Sequence, residues 1–134
     1  MPFLWHPLVV HFPVALWLTS FLFDVLYTGT SARFYATASR YLIGLGLLAA
    51  VVSVVSGFLD YRPLVAQGIG QAFIDQHRLH SRLAYAATVL YAGMFFLRWR
   101  GRAMAKGIYV TMAALAAGLI AATGYLGGEI RRVM

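Results

Sequence analysis

Apolar residues fall into four long runs, roughly 8–27, 41–59, 79–97 and 107–127, separated by short segments that hold nearly all the charge. Each run approaches the ~20 residues that an α-helix needs to cross a bilayer. No run alternates with period two, so a strand reading is excluded, and in lipid only helices or closed barrels satisfy every backbone group. The predicted fold class is an all-α membrane protein: a four-transmembrane-helix antiparallel bundle formed by one domain, 1–134. Short connections between successive spans favour the up-down-up-down order.

Punctuation refines the spans. Pro7 suits a helix start, and Pro13 marks either a kink or the true beginning of the first span. Thr28 to Ser31 reads as a tight connection. Gly46, Ala49, Ser53, Ser56 and Asp60 form a small-residue stripe on the second span. Ala114, Gly118, Ala122, Gly124 and Gly128 do the same on the fourth. Such stripes let helix backbones approach closely in lipid. Between Arg62 and Gln76 lies the longest extramembrane piece, a broken amphipathic segment interrupted by Gly68 and Gly70 and suited to cover the bundle end.

Composition supports the membrane reading. The chain of 134 residues is 61% hydrophobic, against roughly 45–50% for a soluble domain. The net charge of +7 raises nucleic acid as a partner, but its distribution argues against it. Arg33, Arg40, Arg98, Arg100, Arg102 and Lys106 gather on the 1–2 and 3–4 connections. On the opposite side, Arg62, Arg78, Arg82, Arg131 and Arg132 are interleaved with Asp60, Asp75 and Glu129. By the positive-inside rule the first set is cytoplasmic, which places both termini outside, and its charges meet lipid head groups. Asp24, near that basic end, is expected to pair with Arg40 or Arg98. With no cysteine, disulfides, thiolate metal sites and c-type haem attachment are excluded.

The scarce polar groups repeat. His11, Asp60 and Arg62 recur 69 positions later as His80, Glu129 and Arg131, and Arg33 as Arg102. The chain therefore reads as two pseudo-repeated helical hairpins, about 1–66 and 70–134, each bringing a histidine and a carboxylate to the outer end. Across a four-helix bundle the first and third spans are diagonal, so His11 and His80 are expected to face one another. Two opposed imidazoles can ligate a haem b iron axially, with Arg62, Arg78 or Arg131 pairing with its propionates. The alternative is a single non-haem ion (Fe, Zn or Cu) held by His11, His80, Asp60 and Glu129, assisted by His6 and His77. A third reading is a cofactor-free structural subunit of a larger membrane complex. No nucleophile–base–acid set and no phosphate loop is visible, so no catalytic residues are assigned and an enzymatic role is left open.

His6-Pro7-Leu8-Val9-Val10-His11-Phe12-Pro13, Gly57-Phe58-Leu59-Asp60, His77 with His80, and Gly124-Tyr125-Leu126-Gly127-Gly128-Glu129 resemble the DUF2231 membrane family over essentially the whole chain. The resemblance implies a four-span bacterial inner-membrane protein. Because some members are fused to Rieske or cytochrome c domains, it also implies electron transfer. It tilts the cofactor towards haem b and the partners towards a respiratory or periplasmic redox protein, with homo-oligomerisation open.

Overall fold

The computed structural model describes residues 5–101, 105–130 and 132. Among them the chain is all-α, with no strand: α1 (His6–Val9), α2 (His11–Thr30), α3 (Arg33–Ala66), α4 (Gln71–Trp99) and α5 (Lys106–Ile130). The prolines shape the first two. Pro7 sits in the opening turn of α1 and Pro13 in the opening turn of α2. Pro13 has no N–H for the carbonyl of Val9, so the helix is interrupted at Val10 and restarts. A left-handed Ser31 (φ 58) ends α2, and the connection to α3 shrinks to Ser31 and Ala32.

The 62–76 segment is interrupted at its glycines as expected, but the rest of it is helical. α3 continues through Pro63 to Ala66 and α4 opens at Gln71, leaving only 67–70 outside helix. Gly68 takes a positive φ of 77° there, a conformation that costs glycine little. With 34 residues, α3 is about 50 Å long, well beyond the ~30 Å hydrocarbon core.

Helix α2 packs on α3 and α5, and α4 packs on the same two. Across the middle, Trp17 of α2 stacks on Tyr91 of α4 with ring centres 4.2 Å apart and planes 14° apart. Trp17 donates its indole N–H to the carbonyl of Ile43, 3.3 Å away. Gly46, one turn on, makes this possible, because a Cβ there would collide with the indole nitrogen and Cδ1. The clash is with a fully enclosed ring, so Gly46→Ala is expected to cost about 1–3 kcal/mol. A lowered thermal midpoint in detergent, with helical content kept, is the check.

The stripe on α3 is largely where the sequence puts it: Gly46, Ser53 and Ser56 are buried, with Ala50 deeper than Ala49. The α5 stripe is corrected. Ala113, Ala116, Ala117, Ile120 and Thr123 are buried, while Ala114, Gly118 and Ala122 are exposed. A shift of one residue turns a side chain by about 100°, which takes the predicted face off the core.

Burial is distributed as lipid demands. Ser20, Ser39, Ser53, Ser56, Thr123 and Asp24 are inside, whereas Leu45, Leu48, Val51, Val55, Val89 and Leu115 point outward. An apolar surface this extensive marks contact with a membrane rather than water. Three helical stretches, His6–Thr30, Arg33–Ala66 and Lys106–Ile130, are long and apolar enough to cross a membrane. α4 is not among them, since its ends carry Asp75, Arg78, Arg82 and Arg98 and its first half His77 and His80.

At the basic end the four long helices are tied by one polar cluster. Arg98 of α4 contacts the fully buried Asp24 of α2 at 2.7 Å and donates to Ser39 Oγ of α3, also at 2.7 Å. Tyr109 of α5 donates its hydroxyl to the other Asp24 oxygen at 2.9 Å, and the guanidinium lies 3.8 Å from the centre of the Tyr109 ring. Of the two expected partners of Asp24, Arg98 is the one in contact.

Candidate functional site: a histidine-rimmed cavity

A cavity of about 650 Å³ opens at the other end, with a mainly apolar wall drawn from all five helices. That volume lies within the roughly 300–1,000 Å³ of small-molecule and cofactor sites. All four histidines line it.

Two of them are held in the same way. His6 Nδ1 lies 2.8 Å from the carbonyl oxygen of Ser53, and His80 Nδ1 lies 3.0 Å from that of Thr123. A carbonyl can only accept, so in both rings Nδ1 carries a proton, and in the neutral ring Nε2 keeps its lone pair. Each ring also lies over a glycine one turn past its carbonyl. A Cβ at Gly57 would come within 3.0 Å of the His6 ring, and one at Gly127 within 3.3 Å of the His80 ring. Ser56 donates to the same Ser53 carbonyl at 2.9 Å. The two rings are thus fixed from opposite sides, with centres 6.2 Å apart and planes at 87°.

His77 is the third member, its ring centre 6.4 Å from that of His80. It stacks on Tyr61 at 4.1 Å. His77 precedes the apolar run of α4, and burial, helped by the neighbouring His80 and His6, lowers its pKa to about 4, so it is neutral at physiological pH. His11 lies on the cavity rim and is exposed. The structure therefore brings His6, rather than His11, into ring contact with His80.

The other candidate residues lie around this centre. Asp60 accepts the backbone N–H of His6 at 2.8 Å, which fastens the free N-terminal end of α1 to α3. Glu129 pairs with Arg132 at 2.8 Å. Arg62 places its guanidinium 5.4 Å from the ring centre of Phe58, a residue of the cavity wall. Arg78 is exposed and 3.7 Å from Asp75. Arg131 lies outside the described residues. Among the described residues no group of three or more His, Cys, Asp or Glu side chains gathers as an ion site.

The lining residues also fall in pairs 70 positions apart, among them Val14 and Ala84, Ser53 and Thr123, Val54 and Gly124, and Gly57 and Gly127. Buried positions of α3 recur in α5 with the same step: 43 and 113, 46 and 116, 50 and 120. With this spacing His11 corresponds to Ser81 and His80 to Val10, so His6 supplies from α1 the imidazole that α2 does not place opposite His80. The sequence signal for it was the shared Ser/Thr-x3-Gly spacing of 53–57 and 123–127.

A family described as "Predicted membrane protein (DUF2231)" matches residues 4–133. The chain belongs to the DUF2231 family. No curated protein and no solved structure matched it. As a DUF2231 protein with outward apolar helices, it has the lipid bilayer as its expected surrounding.

Proposed function

We propose that this DUF2231 protein is a b-type cytochrome-like electron-transfer protein that holds one haem b between His6 and His80. The observation that carries the reading is the matched pair of imidazoles, each with Nδ1–H on a backbone carbonyl. Metal-binding histidines commonly carry this second interaction, which fixes the tautomer and aims the other nitrogen. The two ring centres lie 6.2 Å apart, and each Nε2 is the nitrogen left to serve as a metal ligand. A porphyrin supplies four nitrogens of its own and needs only two from the protein. A bare ion needs three or more protein ligands, and no such group is present among the described residues. The donor set therefore favours haem over a non-haem centre.

In this reading the haem supplies one-electron chemistry. His6 and His80 bind it, Gly57 and Gly127 leave room for the imidazoles, and the apolar wall excludes water. Arg62, beside Phe58 of the cavity wall, and Arg78, next in sequence to His77, would be available for its propionates, and Asp60 would position His6 through the backbone. The chain would cross the bacterial inner membrane four times as an antiparallel bundle of two pseudo-repeated hairpins, and the 70-residue recurrence supports that relation. The basic end would face the cytoplasm and the histidine end, with both termini, the periplasm, where a redox partner would dock.

Purification after haem-supplemented expression tests this. A red protein with Soret and α bands and one haem per chain is expected. A colourless protein that takes up no haem on reconstitution would overturn it, and stoichiometric iron, zinc or copper without porphyrin would point to the non-haem centre.

A further inference from the structure

We propose that the basic end of the molecule carries a second site, which binds the phosphate group of an anionic phospholipid. A separate cavity of about 350 Å³ opens there, with Arg40, Arg98 and Lys106 in its wall and, among the described residues, no acidic side chain lining it. Met94, Leu97 and Met112 supply an apolar part. The bound molecule is thereby required to be anionic at one end and apolar at the other.

The charge at the cavity is uncompensated. Asp24 neutralises Arg98, but among the described residues neither Arg40 nor Lys106 has a carboxylate partner. Among the described residues Lys106 reaches the Ser31 hydroxyl and the face of Tyr27. The Arg40 guanidinium lies beside the rings of Tyr41 and Trp99, 5.5 and 5.6 Å from their centres.

Donors are also left over. The Nε of Arg40 and the Nε of Arg98 are both buried without a hydrogen-bond partner among the described residues. The Arg98 side chain is only 9% exposed and its two terminal nitrogens are committed to Asp24 and Ser39. Buried guanidinium donors are costly when unpaired, and two of them belong to one cavity wall. A phosphate oxygen is the acceptor that arginine recognises best. A phospholipid brings it to this depth together with an acyl chain for the methionine and leucine side. This site is independent of haem binding, because it lies at the opposite end of the helices.

Native mass spectrometry of the full chain, delipidated in detergent, tests the assignment. Phosphatidylglycerol, cardiolipin and phosphatidylcholine are supplied separately, and inorganic phosphate and glycerol 3-phosphate are titrated by calorimetry. One phosphatidylglycerol or cardiolipin should be retained per chain, with phosphatidylcholine excluded. The double variant R40Q/K106Q should weaken retention about thirtyfold, and its helical content and thermal midpoint show whether it is folded. Binding of inorganic phosphate, lost in the same variant, would keep the phosphate site and assign it to a soluble anion. The proposal fails if R40Q/K106Q retains lipid as the parent does. It also fails if R33Q/R100Q, which removes the same charge from exposed positions outside the cavity, weakens binding equally.

Discussion

Purified His80→Ala and His6→Ala should each lack the Soret band of the parent protein, whereas His11→Ala should keep it. The contrast follows from how each ring is held. His6 and His80 are locked by a carbonyl on Nδ1 and a glycine under the ring; His11 is an exposed rim residue. In the proposed reading His6 and His80 would both hold the haem, so the loss of either imidazole would weaken its retention. Gly127→Ala is the graded control. Its Cβ would meet His80 Cε1 at 3.3 Å, so the ring tilts rather than disappears. Haem affinity should drop about 10–100-fold, as when an outer partner of a metal ligand is disturbed. If His11→Ala is colourless while His6→Ala stays red, the axial pair is His11 and His80, as the 69-residue repeat alone suggests.

The difference between those two pairs shows what was legible in the sequence. Four helices were readable because lipid demands long apolar runs, and the end of the molecule holding the histidines was readable from the charge. Register was not. The 69-residue repeat was set by His11 with His80, Asp60 with Glu129, Arg62 with Arg131 and Arg33 with Arg102, a handful of polar residues that need not share the register of the core. The buried positions obey 70 instead, and they are apolar or small, so they stand out poorly against a chain that is 61% hydrophobic. The α5 stripe read from small-residue spacing falls one residue off the core face, on Ala114, Gly118 and Ala122, and the 69-residue step pairs His11 rather than His6 with His80. The interruption at Val10, which frees α1 to swing His6 inward, follows from Pro7 and Pro13. What it delivers to the cavity depends on the Asp60 contact, 54 positions away. Asp24 and Arg98 are 74 apart, and only the packing of the four helices selects Arg98 over Arg40.

That selection carries the largest expected effect on stability. Arg98→Met leaves Asp24, fully enclosed, with the Tyr109 hydroxyl alone among its present side-chain partners. Stranding one member of a buried ion pair costs about 3–5 kcal/mol, which should lower the thermal midpoint in detergent by about 10 °C or more. Arg98→Lys keeps the charge but loses the fork that reaches Ser39 and Asp24 together, so an intermediate loss is expected. The decisive variant is the double change D24N/R98M. It removes both charges, keeps an acceptor for Tyr109 and fills the arginine's volume with an unbranched apolar chain. If the cost of Arg98→Met is an uncompensated charge, the double variant should regain more than half of the lost stability. If it melts as low as Arg98→Met alone, the guanidinium matters through its packing on the Tyr109 ring instead. The first outcome would mean that charge, not shape, joins the four helices at the basic end. The histidine cavity at the other end, whose wall shares Trp17, Ala50 and Ile120 with the hydrophobic core, would then rest on a fixed base.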